Sequence, residues 1–221
     1  MLNLIKGVVA LPLHPKEWSF LAPLYMSKLE VRNMLQATTW RRALNAARKT
    51  VGKKPLAKEP SKTWRAKMLL AEHSPIRLVE FDWDFENIRQ WVSVHLVRHW
   101  LGFIPFVHSQ REDRRQLDLS RDELPQGSLN DMSCTANAQA LINISRKRLC
   151  ACASPETREA WQAVKDSIAK VDPVMADKMV KNCLYRGFCP ELHSCGYVNT
   201  PQFLVELEKY RSTYYEENEN A

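Results

Sequence analysis

The chain has 221 residues, 45% of them hydrophobic and 26% charged, with seven Trp, seven Phe and six Tyr spread along it. That length and composition suit one buried core and exclude a disordered or low-complexity chain. The net charge of +7 is unevenly placed: residues 1–70 carry 14 Lys and Arg against 3 Asp and Glu, and the rest of the chain 18 against 22.

The first apolar runs, Gly7 to Leu13 and Phe20 to Met26, fall far short of the roughly 20 residues needed to span a bilayer. Pro12, His14 and Pro15 follow the first run without a small-residue cleavage site, so the expectation is a cytoplasmic protein with no membrane partner. Val8 to Leu13 reads as a strand. Basicity peaks over residues 41–67, where ten cations face only Glu59 and where Gly52, Pro55 and Pro60 predict a loop. Such a segment is either a solvated loop or a contact for an anion.

Residues 78–85 alternate Val79, Phe81, Trp83 and Phe85 with Glu80, Asp82 and Asp84, the period of a half-buried strand. Asp84 is placed to cap a following helix that carries Ile88, Trp91, Val92, His95 and His99 to about Trp100. Residues 101–132, with Gly102, Pro105, Pro125, Gly127 and many charges, read as a long excursion with some local helix. Residues 136–148 predict a helix with Leu141 and Ile144 inward. Ser154-Pro155-Glu156 then starts another, with Ser as cap and Pro in the first turn, carrying Trp161, Val164 and Ile168 and stopping before Pro173. A last helix is expected before Cys183, and the acidic tail 214–221 is expected to fray.

His95 and His99 stand one helical turn apart, with Arg98 between. This pair admits a metal site, an anion or cofactor contact, or a structural helix face. The glutamate of an H-E-x-x-H site is absent, and the guanidinium repels a cation, so no metal site is assigned. Cys183, Cys189 and Cys195 are spaced by six with His193 near the third, and Cys150 and Cys152 precede them. Without a C-x-x-C knuckle these thiols are open to three readings: idle, structural zinc, or redox and iron–sulfur. With reduced thiols expected in a cytosolic setting, disulfides are not assigned. Asn137 and Arg148, eleven residues apart, lie about 16 Å apart near one face of an unbroken helix, a spacing suited to a long ligand. Arg146, Lys147 and Arg148 also answer that helix's dipole. Dinucleotide, P-loop and serine-hydrolase motifs do not occur.

Taken in order, several of these pieces resemble the flavin-dependent thymidylate synthases. That family carries a helix ending in Arg-His-Arg, a Ser-x-Arg, and an Asn-Ala-Arg-Ser-Leu-x-Asn helix that ends in Arg and runs into His-Ala-Gln-Trp-Glu-Ile. The counterparts here are Arg98-His99-Trp100, Ser109-Gln110-Arg111, Asn137 to Asn143, Arg148, and Cys152-Ala153-Ser154-Pro155-Glu156-Thr157, with His73-Ser74-Pro75 upstream. The resemblance spans residues 73–165. Trp100 stands where the family has its second Arg, Asp131 where a substrate-binding Arg is usual, and Cys152 where the later His stands.

What the resemblance implies is an α+β subunit, with an antiparallel or mixed sheet packed against several helices, in a single domain over residues 1–221. The implied assembly is a homotetramer with active sites at subunit interfaces. It implies FAD as cofactor, methylenetetrahydrofolate and NADPH as co-substrates, and methylation of dUMP to dTMP. His73, Arg98, His99, Asn137, Asn143 and Arg148 would contact the cofactor. His95, Ser109, Gln110, Arg111 and Arg148 would contact the nucleotide, and Arg148 would be the catalytic residue, stabilising the pyrimidine as its N3 proton leaves. The same fold acting on another pyrimidine nucleotide, or with another one-carbon outcome, is the first alternative. A flavin-free homologue that binds nucleotides or nucleic acid is the second, although nucleic acid is not the expected partner.

Overall fold

A computed structural model describes residues 28–114 and 120–215. The strand expected over residues 8–13 and most of the acidic tail lie outside them. Four strands form one antiparallel sheet in the order β1 (Glu30–Gln36), β2 (Glu80–Arg89), β4 (Leu129–Asn137), β3 (Phe103–Val107). Eight α-helices occur among the described residues: α1 (Trp40–Thr50), α2 (Lys62–Leu70), α3 (Gln90–Val97), α4 (Ala138–Arg148), α5 (Pro155–Val171), α6 (Pro173–Lys178), α7 (Asn182–Arg186) and α8 (Pro201–Arg211). The α+β architecture is as expected, and the sheet is wholly antiparallel.

The alternation in β2 does what its period requires. Phe81, Trp83 and Phe85 are buried on the helix side, and Asp82 and Asp84 take the other face, where they accept hydrogen bonds from Thr135 and Ser133 of β4. The strand, however, runs five residues past Asp84, which therefore caps no helix. Its carboxylate accepts from Ser133 Oγ at 2.6 Å and from Asn33 Nδ2 at 2.7 Å, and these bonds hold it below the ordinary carboxylate value. A bulge between Phe85 and Ile88, with Asn87 in the left-handed region at φ 59°, returns Ile88 to the buried face. Asp131 braces it by accepting from the Asn87 backbone N–H at 3.0 Å. The helix expected from Asp84 to about Trp100 accordingly starts at Gln90 and ends at Val97.

Trp83 is the centre of the core. It stacks on Phe103 and meets Trp161 of α5 edge-on, with ring centroids 5.9 and 6.1 Å apart. Trp161 donates its indole N–H to Ser145 Oγ of α4, so α4 and α5 are registered on the sheet through one aromatic cluster. The start of α5 is as read: Ser154 Oγ accepts from the Thr157 backbone N–H, and Pro155 occupies the first turn. Val164 and Ile168 are buried.

Three readings are corrected. The segment 41–67 is not one loop, because α1 and α2 occupy most of it and only residues 51–61 connect them. Arg41 and Arg48 donate to the carbonyls of Ala57 and Lys54, bracing that connection. The excursion 101–132 contains β3 and the start of β4, because Phe103 and Met132 alternate into the core. The last helix is α8, well beyond Cys183; α6 precedes that residue and α7 contains it. Of the tail, Tyr215 is fastened through its hydroxyl, which donates to Asp177 at 3.0 Å.

Candidate active site

The site is built where the C-terminal ends of α3 and α4 meet. Asn137 ends β4 and caps α4, its Oδ1 accepting from the Ala140 N–H at 2.9 Å, and Arg148 closes the same helix three turns later. At that far end Arg148 Nε–H donates to His99 Nε2 at 2.8 Å, and Nη2–H donates to the His95 carbonyl at 2.7 Å. A guanidinium has five N–H donors in a rigid fork. Two here fix its plane against α3, which leaves three N–H groups able to meet an anionic or carbonyl ligand.

The Arg148 hydrogen bond sets the His99 proton position. His99 Nε2 accepts from Arg148, so its proton resides on Nδ1. Burial first, and the Arg148 charge second, push the ring down to about 4, so it is neutral at pH 7. His95 Nδ1 lies 2.9 Å from Thr157 Oγ1, and Ser154 Oγ–H donates to the same Thr157 oxygen at 2.8 Å. Thr157 Oγ1 thus meets both the Ser154 hydroxyl and His95 Nδ1 and fixes the orientation of the ring. Burial, then the charges of Arg148 and Arg98, hold His95 below its ordinary value. Arg148 itself is lowered by burial and then by Arg98, which places a second guanidinium nearby. The site thus holds two neutral imidazoles and two cations, an arrangement directed at an anion.

The other end of α4 borders a cavity of about 250 Å³ lined by Arg77, Leu101, Gly102, Asn137, Gln139 and Asn143. Gly102 is required here. Its φ is +74°, and a Cβ would come within 2.5 Å of the Asn137 amide nitrogen. Asn143 is exposed and accepts from Gln139 and Arg146, which both also donate to Glu72.

The structure therefore brings His95, His99 and Arg148 together, with Arg98 adjacent and exposed, and it sets Asn137 and Asn143 along one cavity. Ser109, Gln110 and Arg111 lie just after β3. There Ser109 Oγ accepts from the Arg111 N–H, and the Arg111 guanidinium forms a fork with Asp113 at 2.9 and 3.0 Å. His73 is exposed ahead of the 3-10 turn at Ser74–Leu78. Trp100 is 73% exposed beside the site. Arg77, Gln139 and Thr157 were not singled out from sequence. Thr157 had a signal in the Ser154 cap, since a cap fixes the residue three positions on, whereas nothing in the sequence marks Arg77. Among the described residues, no group of three or more His, Cys, Asp or Glu side chains is set to hold a metal ion, and no helix is long and apolar enough to cross a membrane.

Fold and site together describe an α+β protein with an anion-directed Arg and His centre at the junction of two helices. Residues 111–174 match the family model for the thymidylate synthase complementing protein. The fold matches the UMP/dUMP methylase PolB from Streptomyces cacaoi bound with 5-Br dUMP, with TM-score 0.56 and 14% identity over 73% of this chain and 96% of that one. The same methylase bound with 5-Br UMP gives TM-score 0.51 and 15% identity over 70% and 97%. No curated protein matches the sequence. The family model covers residues 111–174 alone, and the likeness to the methylase, at 14% identity, is one of fold.

Proposed function

We propose that this protein methylates C5 of a pyrimidine nucleotide, most simply dUMP to dTMP, with FAD as cofactor and methylenetetrahydrofolate and NADPH as co-substrates. The observation that carries this reading is Arg148, held by two bonds to α3 with three N–H donors left over, inside the segment that matches the family. C5 becomes nucleophilic as the pyrimidine N3 proton leaves, and a fixed guanidinium facing the ring stabilises the charge that develops. His95, its ring oriented by Thr157, would contact the nucleotide in the same place, and Arg98 supplies the second positive charge for the phosphate.

The residues suit a flavin nucleotide. Asn137, Asn143 and Arg77 offer amide and guanidinium donors along the cavity, Gly102 admits close backbone approach, and Arg98 and Arg148 would border the flavin from the far end of α4. His99 would border it as a neutral ring with its Nδ1–H as donor, and His73 would lie near flavin and folate. When bound, the flavin supplies the hydride chemistry; the chain's own residues bind, orient and neutralise charge. One 250 Å³ cavity is small for FAD, in keeping with a site completed by neighbouring subunits in a homotetramer. Ser109, Gln110 and Arg111 then belong to the nucleotide contact of an adjoining protomer, with Arg111 exchanging Asp113 for phosphate. The location proposed is cytoplasmic.

A second substrate has an observation in its favour: the structural relative is described as acting on both UMP and dUMP, so the ribonucleotide belongs in the same assay. The test is a flavin absorbance scan of purified protein, followed by product analysis with dUMP and UMP, methylenetetrahydrofolate and NADPH. Formation of the 5-methyl nucleotide supports the reading. Protein that cannot be reconstituted with FAD and leaves both nucleotides unmethylated overturns it.

A further inference from the structure

Glu72 stands against a local backbone preference. It follows Ala71, the C-cap of α2, with φ 51°, in the left-handed region where glycine is the usual residue. Its N–H donates to the Leu69 carbonyl at 3.3 Å and the His73 N–H to the Met68 carbonyl at 3.2 Å, the two bonds that close a helix end of this kind. Glycine would make the same turn with less strain. What this position gains from Glu is therefore the carboxylate.

That carboxylate orders the polar side chains of α4. Its Oε2 accepts from Gln139 Nε2 at 2.6 Å, and its Oε1 accepts from Arg146 Nη2. Arg146 is held from α7 as well, its guanidinium lying 3.5 Å from the centre of the Tyr185 ring. Gln139 Nε2 and Arg146 Nη1 in turn donate to Asn143 Oδ1, at 3.4 and 3.3 Å. A carboxylate only accepts and a guanidinium only donates, so the orientation of both amides is settled. Gln139 Oε1 and Asn143 Nδ2 are left with no hydrogen-bond partner among the described residues. Both side chains line the 250 Å³ cavity with Asn137, whose Oδ1 is taken by the Ala140 N–H and whose Nδ2 is likewise left over. No carboxylate lines that cavity, so the Gln139 carbonyl is the unoccupied side-chain acceptor there.

We propose that Glu72 is a positioning residue for this cavity: by fixing Gln139 and Asn143 it makes the cavity offer two amide donors, from Asn137 and Asn143, and one carbonyl acceptor, from Gln139. That set complements a cyclic imide, whose N–H stands between two carbonyls. The imide read here is that of the flavin ring, since the uracil imide is assigned to Arg148 at the other end of α4. Glu72 does not line the cavity, so it acts through the two amides. The inference rests on the reading that the cavity takes a flavin, and adds which edge of the flavin is recognised and what holds the recognising groups.

The test compares binding of FAD with binding of 3-methyl-FAD, which lacks the imide N–H, by quenching of flavin fluorescence on the full-length chain. Wild type should favour FAD by about tenfold or more, the worth of one hydrogen bond. Gln139→Leu, without the acceptor, should lose that preference. Glu72→Gly, which removes the carboxylate and relieves the backbone, should lose most of it with circular dichroism native, and Glu72→Gln, whose carbonyl accepts from Gln139, should keep part of it. Uracil carries the same edge, so dUMP and 3-methyl-dUMP are compared in parallel by calorimetry; a preference in that pair that Gln139→Leu abolishes overturns the flavin assignment. Wild type that binds FAD and 3-methyl-FAD alike, or a Glu72→Gly variant that keeps the full preference, overturns the inference and leaves the proposed reaction standing. Wild type that binds neither flavin defeats both.

Discussion

Acidification tests the proton positions assigned to the Arg148 and His99 pair. Arg148 donates to His99 Nε2, so protonating that nitrogen sets one N–H against another. The folded ring titrates at about 4 and the unfolded one at its ordinary 6.5, so between these values the unfolded chain carries more protons. This contribution to stability is complete above 6.5 and is lost as pH falls toward 4. The gap corresponds to roughly 3 kcal/mol, which solvent screening of a half-exposed ring reduces to about 1–2 kcal/mol. His99→Gln provides the reference, because its amide oxygen accepts from Arg148 but does not titrate. Urea unfolding at pH 7 and pH 5 should cost the wild type about 1 kcal/mol more than the variant, and the imidazole signals of His99 should move with a midpoint near 4. In Arg148→Ala that midpoint should rise yet stay below 6.5, because burial is the larger cause. A wild-type midpoint at 6.5, or parallel loss of stability in wild type and His99→Gln, refutes the reasoning.

Arg148→Ala should also abolish turnover and weaken nucleotide binding while circular dichroism stays native; an active variant removes its assigned role. Gly102→Ala should lower the melting temperature by roughly 3–8 °C, about 1–2 kcal/mol, through the positive φ and the clash with Asn137, as scanning fluorimetry would read. Thr157→Val, which removes the hydroxyl that fixes His95, should raise KM for the nucleotide, and Thr157→Ser should restore it. Trp100→Arg should tighten FAD by about tenfold in a fluorescence titration, one added charge-assisted bond being worth roughly 1.5 kcal/mol; unchanged affinity means that the side chain points elsewhere.

The sequence by itself determined the elements whose signal is local. Ser154 and Pro155 start α5 because a cap and a preset φ act within one turn, and β2 buries Phe81, Trp83 and Phe85 because its period is two. It also determined that Asn137 and Arg148 share one helix. Tertiary structure alone decided the rest. The bulge at Asn87 carried β2 past Asp84, since Ile88 could reach the core only by a change of register and Asp131 lay across the sheet to brace it. Residues 103–107 became a strand because β4 offered an edge, a partner that lies more than twenty residues away in the chain. The pairings of Arg148 with His99 and of Glu72 with Gln139 and Arg146 have the same origin: contacts between residues dozens of positions apart leave no periodic trace, and they exist only once the helices that carry them have packed.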